Sequence, residues 1–463
     1  MTAAPTVIVL NGRASEDETL TYLNLPFDVP AGTARIDVRY EYSAAIGSDP
    51  HLTGGNTVDI GIFDPRGADF MTQGFRGWSG SARASFFVAT DNATPGYLPG
   101  PIQAGMWFVC LGLYKVAPDG CEYTVTITLT PAADSAAPGE FAPRLALSAS
   151  PRPDVQKADG WYRGELHCHT VHSDGDSDPY ELVTMSEALG LDFLAITDHN
   201  NITHLAALND IDTSLMLIPG YEVTTYKGHW NIWGGQGWID FRILSPERMA
   251  EAIQAARAAG YLVSCNHPRP YGPPWEYEQV EGYQCVEVWN GPWPLFNQTA
   301  LDFWEARLRA GHRLVAVGGS DAHFLHREHI ARIGQPTMWI HCDGAPSPAK
   351  LLDNLRAGHA FISATPDGPR LTLRVGDAIM GDSIPRPSDD RVTLHVSARG
   401  ADGLQMQVHG ASGYMAHFDV DGDDCAWEVP VSTQGTPYLR AQLVEPDANL
   451  VNVHALTNPI YIG

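Results

Sequence analysis

An apolar run that ends in two polar residues decides the fold of the central part of the chain. The run is Leu191-Asp192-Phe193-Leu194-Ala195-Ile196-Thr197, and Asp198-His199 follows it directly. A short run of this kind is typical of a strand that is buried in a parallel sheet. The segment before it, Pro179 to Leu189, has the signals of a helix, because Asp178 can cap its start and Gly190 follows its end.

The same alternation of short strands and amphipathic helices extends over residues 160–366. Tyr261 to Asn266, Cys285 to Trp289 and Arg313 to Gly318 are further apolar strand candidates. Helical segments lie between them, after Ser245 and around Trp304. Repeated βα units predict an α/β fold with a parallel sheet closed into a barrel.

Segments with the pattern of β-strands lie on both sides of this central part. Ala34 to Tyr40, Tyr123 to Leu129, Arg370 to Val375 and Arg391 to Val396 alternate apolar and polar residues, as half-buried strands do. We predict an N-terminal β-sandwich over residues 1–145 and a C-terminal β-sandwich over residues 367–463. A linker rich in alanine, proline and serine is predicted over residues 146–159.

The bulk composition narrows the range of partners. The chain has 463 residues and a formal net charge of -25, which repels phosphate backbones and anionic membranes. We therefore expect a small-molecule substrate, no long nucleic acid and no membrane. The start shows no signal peptide, and the seven cysteines form no C-x-x-C pair, so we expect a cytoplasmic protein. The oligomeric state is not determined by the sequence.

Histidine, aspartate or glutamate stands at the end of each of five apolar strand candidates. The carboxyl ends of the strands in a βα barrel meet at one rim, so these side chains are expected to converge. His167 and His169 are two residues apart and therefore share one face of a strand. Imidazole nitrogens together with carboxylate oxygens suit Zn, Mn or Fe. The candidate metal ligands are His167, His169, Asp174, His199, Glu222, His229, His267, Asp321 and His323.

A single motif of this set, such as His-x-His, often has an ordinary structural explanation. Five motifs at successive strand ends favour a metal centre instead. Nine candidates are too many for one ion. We therefore predict two or three divalent metal ions (Mn, Zn or Fe) that share bridging carboxylates.

The set of motifs resembles the PHP superfamily, named for polymerase and histidinol phosphatase domains. The stretch from Trp161 to Gly175 and the spacing of Glu222 and His229 look most like its CehA/McbA-type branch, which includes carbaryl hydrolases. The resemblance implies a distorted seven-stranded (β/α) barrel. It rests on His167-Cys168-His169, Ser173-Asp174-Gly175, Thr197-Asp198-His199, Glu222, His267 and Gly319-Ser320-Asp321-Ala322-His323.

The resemblance also implies how the ligands are shared. A first metal would be held by His167, His169, Glu222 and Asp321, and Glu222 would bridge it to a second. The second would be held by Glu222, His229 and His267, and the third by Asp174, His199 and His323. Some relatives have histidine where this chain has Asp174, and a carboxylate there would either favour Mn or Fe over Zn or leave the third metal weakly held.

A metal-activated hydroxide would make the protein a hydrolase, with Asp321, Glu222 and His199 as catalytic residues. We predict a phosphoesterase that acts on a small organic phosphate ester, with Arg269 and Arg327 on the nonbridging oxygens. Trp230 and Trp293 are expected to form an aromatic wall, although packing between domains explains them equally well. The alternative is a carboxylic ester, carbamate or amide hydrolase. A non-catalytic ligand-binding PHP domain is disfavoured by the intact ligand set.

Overall fold

The N-terminal part of the computed structural model consists of two four-stranded antiparallel sheets. The structure describes residues 4–132, 147, 157–446 and 451–463. The strand orders are β1-β8-β3-β6 and β2-β7-β4-β5, and the two sheets share one hydrophobic core. A short 3-10 helix, Glu16–Glu18, separates the first two strands. The strands are β1 Thr6–Ala14, β2 Thr21–Val29, β3 Thr33–Tyr42, β4 Thr57–Phe63, β5 Phe75–Gly80, β6 Ser85–Ala89, β7 Gly105–Lys115 and β8 Cys121–Pro131.

The central part contains the α-helices of the described chain and ten short strands. The helix predicted after Asp178 forms with its capping box, since Asp178 and Glu181 each accept a hydrogen bond from the other's backbone N–H. The elements are β9 Trp161–Glu165, α1 Pro179–Ala188, β10 Phe193–Leu194, α2 His204–Leu208, β11 Met216–Leu217, β12 Gly220–Thr225, β13 Gly228–Trp233, α3 Pro246–Ala258, β14 Leu262–Cys265, β15 Cys285–Asn290, α4 Asn297–Arg309, β16 Val315–Gly319, β17 Thr337–His341, α5 Pro348–Ala357 and β18 Ala360–Ser363.

The central strands belong to two hydrogen-bonded sheets. One has the order β12-β13-β14-β15-β16, and the other begins β11-β10-β9-β17-β18 and continues to eleven strands. Single bridges between Cys168 and Ala322 and between His199 and Glu222 join the two sheets at one rim. The fold is thus mixed α/β, and the closed seven-stranded barrel stays a prediction.

The predicted strands β10, β14, β15 and β16 each pair in parallel with a neighbour, whereas two further strands of the central part run antiparallel. β13 runs antiparallel to both β12 and β14, because only Tyr226 and Lys227 separate β12 from β13 and so short a turn must reverse the chain. Gly228 has a φ of +143°, a conformation that glycine adopts without a steric cost. β17 also runs antiparallel to its neighbour β9.

The C-terminal part continues the larger central sheet, since β18 pairs with the C-terminal strand β27, Val453–Thr457. A second sheet of order β20-β19-β22-β25 packs against this continuation through a shared core. The predicted domain boundaries stay predictions, and most of the predicted linker 146–159 lies outside the described residues. The remaining strands are β19 Arg370–Val375, β20 Ala378–Ile379, β21 Ser383–Ile384, β22 Arg391–Arg399, β23 Gln405–Gly410, β24 Gly413–Asp419, β25 Asp424–Ser432, β26 Tyr438–Val444 and β28 Ile460–Ile462.

The longest helices of the described residues, α3 and α4, have 13 residues each. None of the described helices has the length and apolar character that crossing a bilayer requires.

Candidate metal centre

The nine predicted ligands converge at the rim where the two central sheets meet. Seven of them lie in loops that follow a strand, whereas Glu222 lies in β12 and His229 in β13. Their ligating atoms form overlapping groups in which all atoms lie within 4.8 Å of one another. These groups are His169, Asp174, His199 and His323; His167, His169 and Glu222; and His199, Glu222 and His229.

Glu222 is the centre of the inner part of this cluster. Its side chain is fully buried, and its Oε1 lies 3.4 Å from Nε2 of His167, Nδ1 of His229 and Nε2 of His267. Its Oε2 lies 2.8 Å from Nδ1 of His199. Burial opposes ionisation of this carboxyl, but the imidazoles of His167, His229 and His199 outweigh it and hold the pKa of Glu222 well below its usual value. Glu222 thus has the contacts of a bridging carboxylate.

Asp321 is the second carboxylate of the inner cluster. Its Oδ1 lies 3.0 Å from Nε2 of His169 and 3.4 Å from Nε2 of His167. Asp321 has a φ of +53° and His267 a φ of +29°, so the backbone is strained at two of the predicted ligands. Backbone strain of this kind concentrates at functional sites, where the surrounding structure must maintain it.

The outer part of the cluster is formed by Asp174, His199 and His323. Oδ1 of Asp174 lies 3.6 Å from Nε2 of His199 and 3.4 Å from Nε2 of His323. The two Nε2 atoms are themselves 3.4 Å apart. Nδ1 of His323 donates to the carbonyl oxygen of Asp321, which leaves the Nε2 lone pair directed to the cluster. Oδ1 of Asp174 and the Nε2 atoms of His199 and His323 therefore face one another.

The surroundings of the buried imidazole of His167 indicate whether a metal ion fits between these residues. Its Nε2 has no hydrogen-bond partner within the described ranges, yet it lies 3.4 Å from an oxygen of Glu222 and 3.4 Å from one of Asp321. Ligands at about 2.0–2.2 Å from a tetrahedral ion are about 3.4 Å apart. A divalent metal ion between these atoms would satisfy the orphaned nitrogen, so the donor set fits such an ion.

Glu287 supports His167 and was not predicted as a site residue. Its Oε1 accepts a hydrogen bond from Nδ1 of His167 at 2.7 Å, and both side chains are buried. A carboxylate behind an imidazole fixes its tautomer and leaves Nε2 as the ligand. The sequence carried one signal, because Glu287 is the only charged residue of the apolar run Cys285 to Trp289.

Amide side chains support the two inner carboxylates and were also missed. Nδ2 of Asn266 donates to Oε1 of Glu222 at 2.8 Å. Nδ2 of Asn290 donates to Oδ2 of Asp321 at 3.3 Å and to Oε2 of Glu287 at 3.0 Å. Asn266 precedes a ligand in sequence, but nothing in the sequence distinguishes Asn290 from other asparagines.

Asp198 shapes the loop that carries His169 and Asp174. It accepts hydrogen bonds from the backbone N–H of Thr170 at 2.7 Å and from the hydroxyl of Ser173 at 2.7 Å. His204 lies 3.2 Å away on its other side. This carboxylate therefore holds the loop in place.

The contacts of Arg269 do not agree with the predicted role on the nonbridging oxygens of a substrate. Its guanidinium is buried and donates to the carbonyl oxygens of Asn290 and Leu295 and to the side-chain oxygens of Asn290 and Asn297. The backbone N–H of Arg269 bonds to the carbonyl oxygen of His267, and this tight turn directs the side chain to the loop between β15 and α4. Arg269 holds this loop.

The other predicted substrate-binding residues do not line the cavity beside the cluster. Trp230 is fully buried in the central core. Trp293 is buried, and its indole N–H donates to the carbonyl oxygen of Val451. Both tryptophans therefore have packing roles. Arg327 is exposed, with its guanidinium over the ring of Phe324.

An open cavity of about 530 Å³ lies beside the cluster and is bounded on one side by the N-terminal part. Asp174, His199 and His229 line it on the side of the cluster. Strands β2 to β7 supply much of the opposite wall, which no sequence pattern predicted. The main side chains of that wall are Tyr22, Tyr42, Asp49, Asp59, Trp78 and Tyr114, and Tyr226 of the central part completes it.

Comparison with known proteins identifies the central part. Residues 165–268 match the family model of the PHP domain. The chain is 36% identical over 75 residues to a 5'-3' exoribonuclease of Haemophilus influenzae, and the match spans 16% of this chain and 25% of that protein. Residues 165–268 thus match the PHP domain, which confirms the predicted resemblance to the PHP superfamily for this part of the chain. Its assignment to the CehA/McbA-type branch stays a prediction.

Two solved structures are also similar to the chain. One is a two-domain protein of Bacteroides vulgatus containing a predicted PHP-like metal-dependent phosphoesterase, with 18% identity and a TM-score of 0.34, covering 67% of this chain and 100% of that one. The other is a predicted metal-dependent phosphoesterase of Bifidobacterium adolescentis, with 18% identity and a TM-score of 0.27, covering 41% of this chain and 94% of that one.

Proposed function

We propose that the protein is a metal-dependent hydrolase that cleaves phosphate esters of small organic molecules. One observation carries the proposal: five imidazoles lie within 4 Å of the buried carboxylate of Glu222, and a second carboxylate, Asp321, contacts two of these imidazoles. So many ligand atoms in one buried place would be costly to fold without cations to satisfy them. The match of residues 165–268 to the PHP domain supports the same conclusion.

The residues would hold two or three ions in the arrangement that the family resemblance implies. His167, His169, Glu222 and Asp321 would hold the first, Glu222, His229 and His267 the second, and Asp174, His199 and His323 the third. Bound divalent ions supply a Lewis acid for the ester oxygens and lower the pKa of water toward neutrality.

The chain's own side chains position this chemistry and move the proton. Glu287 and Asn266 fix His167 and Glu222 from behind. The Asp321 side chain is 24% exposed, whereas that of Glu222 is fully buried, so Asp321 is the inner carboxylate that a substrate can reach. Burial opposes its ionisation, but His167, His169 and His323 keep the pKa of Asp321 well below its usual value. An ionised Asp321 would accept a proton from the attacking water and return it to the leaving alcohol.

A second candidate is the hydrolysis of carboxylic esters, carbamates or amides. It is favoured by the cavity, because no arginine or lysine is among its described lining residues. Phosphoesterases commonly bind the nonbridging oxygens with such cations. In this protein the metal ions themselves would have to supply that positive charge, which they do in many phosphoryl-transfer sites.

An assay panel tests the two candidates. The purified protein would be supplied with Mn, Zn or Fe and offered aryl phosphates, aryl phosphodiesters, aryl esters and aryl carbamates. We expect turnover of a phosphoester and at least two equivalents of metal by elemental analysis. Turnover of esters or carbamates alone would select the second candidate. Less than one equivalent of metal, with no activation by added ions, would overturn the proposal of a metal-dependent hydrolase.

A further inference from the structure

Three tyrosine rings and a carboxyl group form the part of the cavity that lies opposite the metal cluster. The ring of Tyr226 is stacked between those of Tyr22 and Tyr114, with centroid distances of 5.2 and 5.3 Å. Its hydroxyl donates a hydrogen bond of 2.8 Å to Oδ2 of Asp59 in β4. The three rings come from β2, β7 and the turn between β12 and β13, so the arrangement exists only because the N-terminal sheets dock on the central part.

Gly112 provides the space that this contact needs. It lies opposite Asp59 in the β4–β7 pairing. A Cβ atom at this position would lie 2.2 Å from the hydroxyl of Tyr226, far too close for two atoms that are not bonded. A glycine here lets Tyr226 reach Asp59, and any side chain would force the two apart.

Asp59 is a carboxyl group with spare hydrogen-bonding capacity. Its Oδ1 accepts no hydrogen bond from the residues that the structure describes, and the side chain is only partly buried on the cavity side. Burial raises the pKa of Asp59 to about 7, although its contact with Tyr226 counteracts the shift. A carboxylate in such a place is stabilised by an opposite charge.

The charges that line the cavity indicate whether a protein side chain or a ligand supplies the positive charge opposite Asp59. Asp49, Asp59 and Asp174 line the cavity, and its described lining contains no lysine or arginine. Lys115 lies nearby, but its ammonium group donates to the carbonyl oxygens of Gly47, Asp49 and Leu52. A ligand with a positive charge is therefore attracted, and a ligand group with a negative charge is repelled from this end of the cavity.

We propose that this end of the cavity binds an organic ammonium group on the alcohol side of the substrate, with Asp59 as its counter-ion and the tyrosine rings around it. The same cavity reaches Asp174, His199 and His229, so a bound molecule of this kind places its ester group beside the metal cluster. Aromatic rings and a carboxylate together are a common environment for alkylammonium ions. This inference rests on the proposed function for the bond that is cleaved.

A binding experiment tests the ammonium site without any turnover. The full-length protein would be titrated calorimetrically with choline and with 3,3-dimethylbutanol, its neutral counterpart of the same shape. We expect choline to bind at least about 10-fold more tightly. Asp59→Asn keeps an acceptor for Tyr226 and should reduce the difference to less than about 2-fold. Asp91→Asn, an exposed position of the same N-terminal part, should leave the difference unchanged.

The binding result decides the inference. Equal affinity of the wild type for the two compounds, or no effect of Asp59→Asn, would overturn it. If Asp59→Asn does not fold, judged by thermal unfolding, Tyr114→Leu replaces it and should weaken choline binding about 2- to 5-fold.

A hydrolysis experiment separates this inference from the proposed function. The substrates are p-nitrophenyl phosphocholine and p-nitrophenyl 3,3-dimethylbutyl phosphate. We expect the ratio of their kcat/KM values to be about 10 or more in the wild type and near 1 in Asp59→Asn. Cleavage of both substrates at equal rates, without selective choline binding, would overturn the ammonium site and leave the phosphoesterase intact. Selective choline binding without cleavage of any phosphoester would support the site and overturn the phosphoesterase.

Discussion

The cluster of candidate metal ligands and the wall of the cavity beside it are neighbours in space, but they arise from different parts of the chain. The cluster takes its side chains from strand ends between His167 and His323, within the central part. Much of the wall comes from the N-terminal strands, with Tyr22 in β2, Asp59 in β4 and Tyr114 in β7. The reaction chemistry is thus carried by one part of the molecule, and the shape and charge of the substrate space depend on the docking of another.

Contacts between buried groups fix the way the two parts dock. The ring of Phe75 stacks on that of Trp238 with a centroid distance of 4.2 Å. The guanidinium of Arg242 donates to the carbonyl oxygen of Ala68 at 2.8 Å and also pairs with Asp240. These contacts place the wall beside the cluster, and a selective pocket requires such support for its lining residues.

Loss of a central ligand should have the largest effect on activity. His167→Ala removes an imidazole that contacts both inner carboxylates, so we expect the rate to fall more than 100-fold, beyond the 10- to 100-fold loss typical of supporting residues. The measurements are kcat/KM and metal content. His395→Ala, in the distant strand β22, is the control and should keep both. A variant of His167 with more than about a tenth of the wild-type rate would count against the assignment.

Loss of a supporting carboxylate should have the next largest effect. Glu287→Gln removes the negative charge behind His167, and we expect metal affinity or activity to fall about 10- to 100-fold. The matched control is Glu428→Gln, because Glu428 lies 3.6 Å from the imidazole of His395 and is far from the cluster. Equal metal affinities of the two variants, measured by competition with a chelator, would show that Glu287 has no role in positioning.

Substitution of Arg269 tests whether this residue supports a loop of the protein or contacts the substrate. Arg269→Lys loses the forked hydrogen bonds to the loop that carries Asn290, so we expect about a 10-fold loss of kcat/KM. The loss should be equal for an aryl phosphate and an aryl ester, because the guanidinium bonds to the protein and not to a phosphate. A loss confined to the phosphate would place Arg269 on the substrate and contradict the position described above.

The smallest predicted effect concerns stability and pH. The pKa of Asp59 is raised by burial to about 7 in the folded protein, whereas an unfolded chain has a pKa of about 4 at this group. The folded state therefore binds the proton more tightly, and the contribution of Asp59 to stability decreases as pH rises between these two values.

Asp59→Asn lacks this titration, so its melting temperature relative to wild type should rise by about 2–4 °C between pH 5 and pH 8. Thermal unfolding followed by circular dichroism measures the difference. Asp91→Asn should show a difference that does not depend on pH. A pH-independent difference for Asp59→Asn as well would mean that the carboxyl group is not shifted.

Part of the site could be predicted from the sequence because most of the predicted ligands lie near the ends of strands. His167, His199 and Asp321 lie in loops that follow strands, and the carboxyl ends of adjacent parallel strands lie together in a βα arrangement. The structure brings together the nine residues chosen on this basis, while their binding of metal stays a prediction. The capping box at Asp178 was predictable for the same reason, since it depends on residues three positions apart.

Other features depend on contacts between residues far apart in the chain, and only the tertiary structure decides them. Tyr226 meets Asp59 across 167 positions, and His167 meets Glu287 across 120. The direction of the Arg269 side chain depends on a turn and on loop carbonyls that no sequence pattern specifies. The amino-acid sequence thus determined which groups can carry out the chemistry, because strand periodicity places them. The packing of distant segments determined which side chains orient the candidate metal ligands. It also determined the charge of the residues that line the neighbouring cavity.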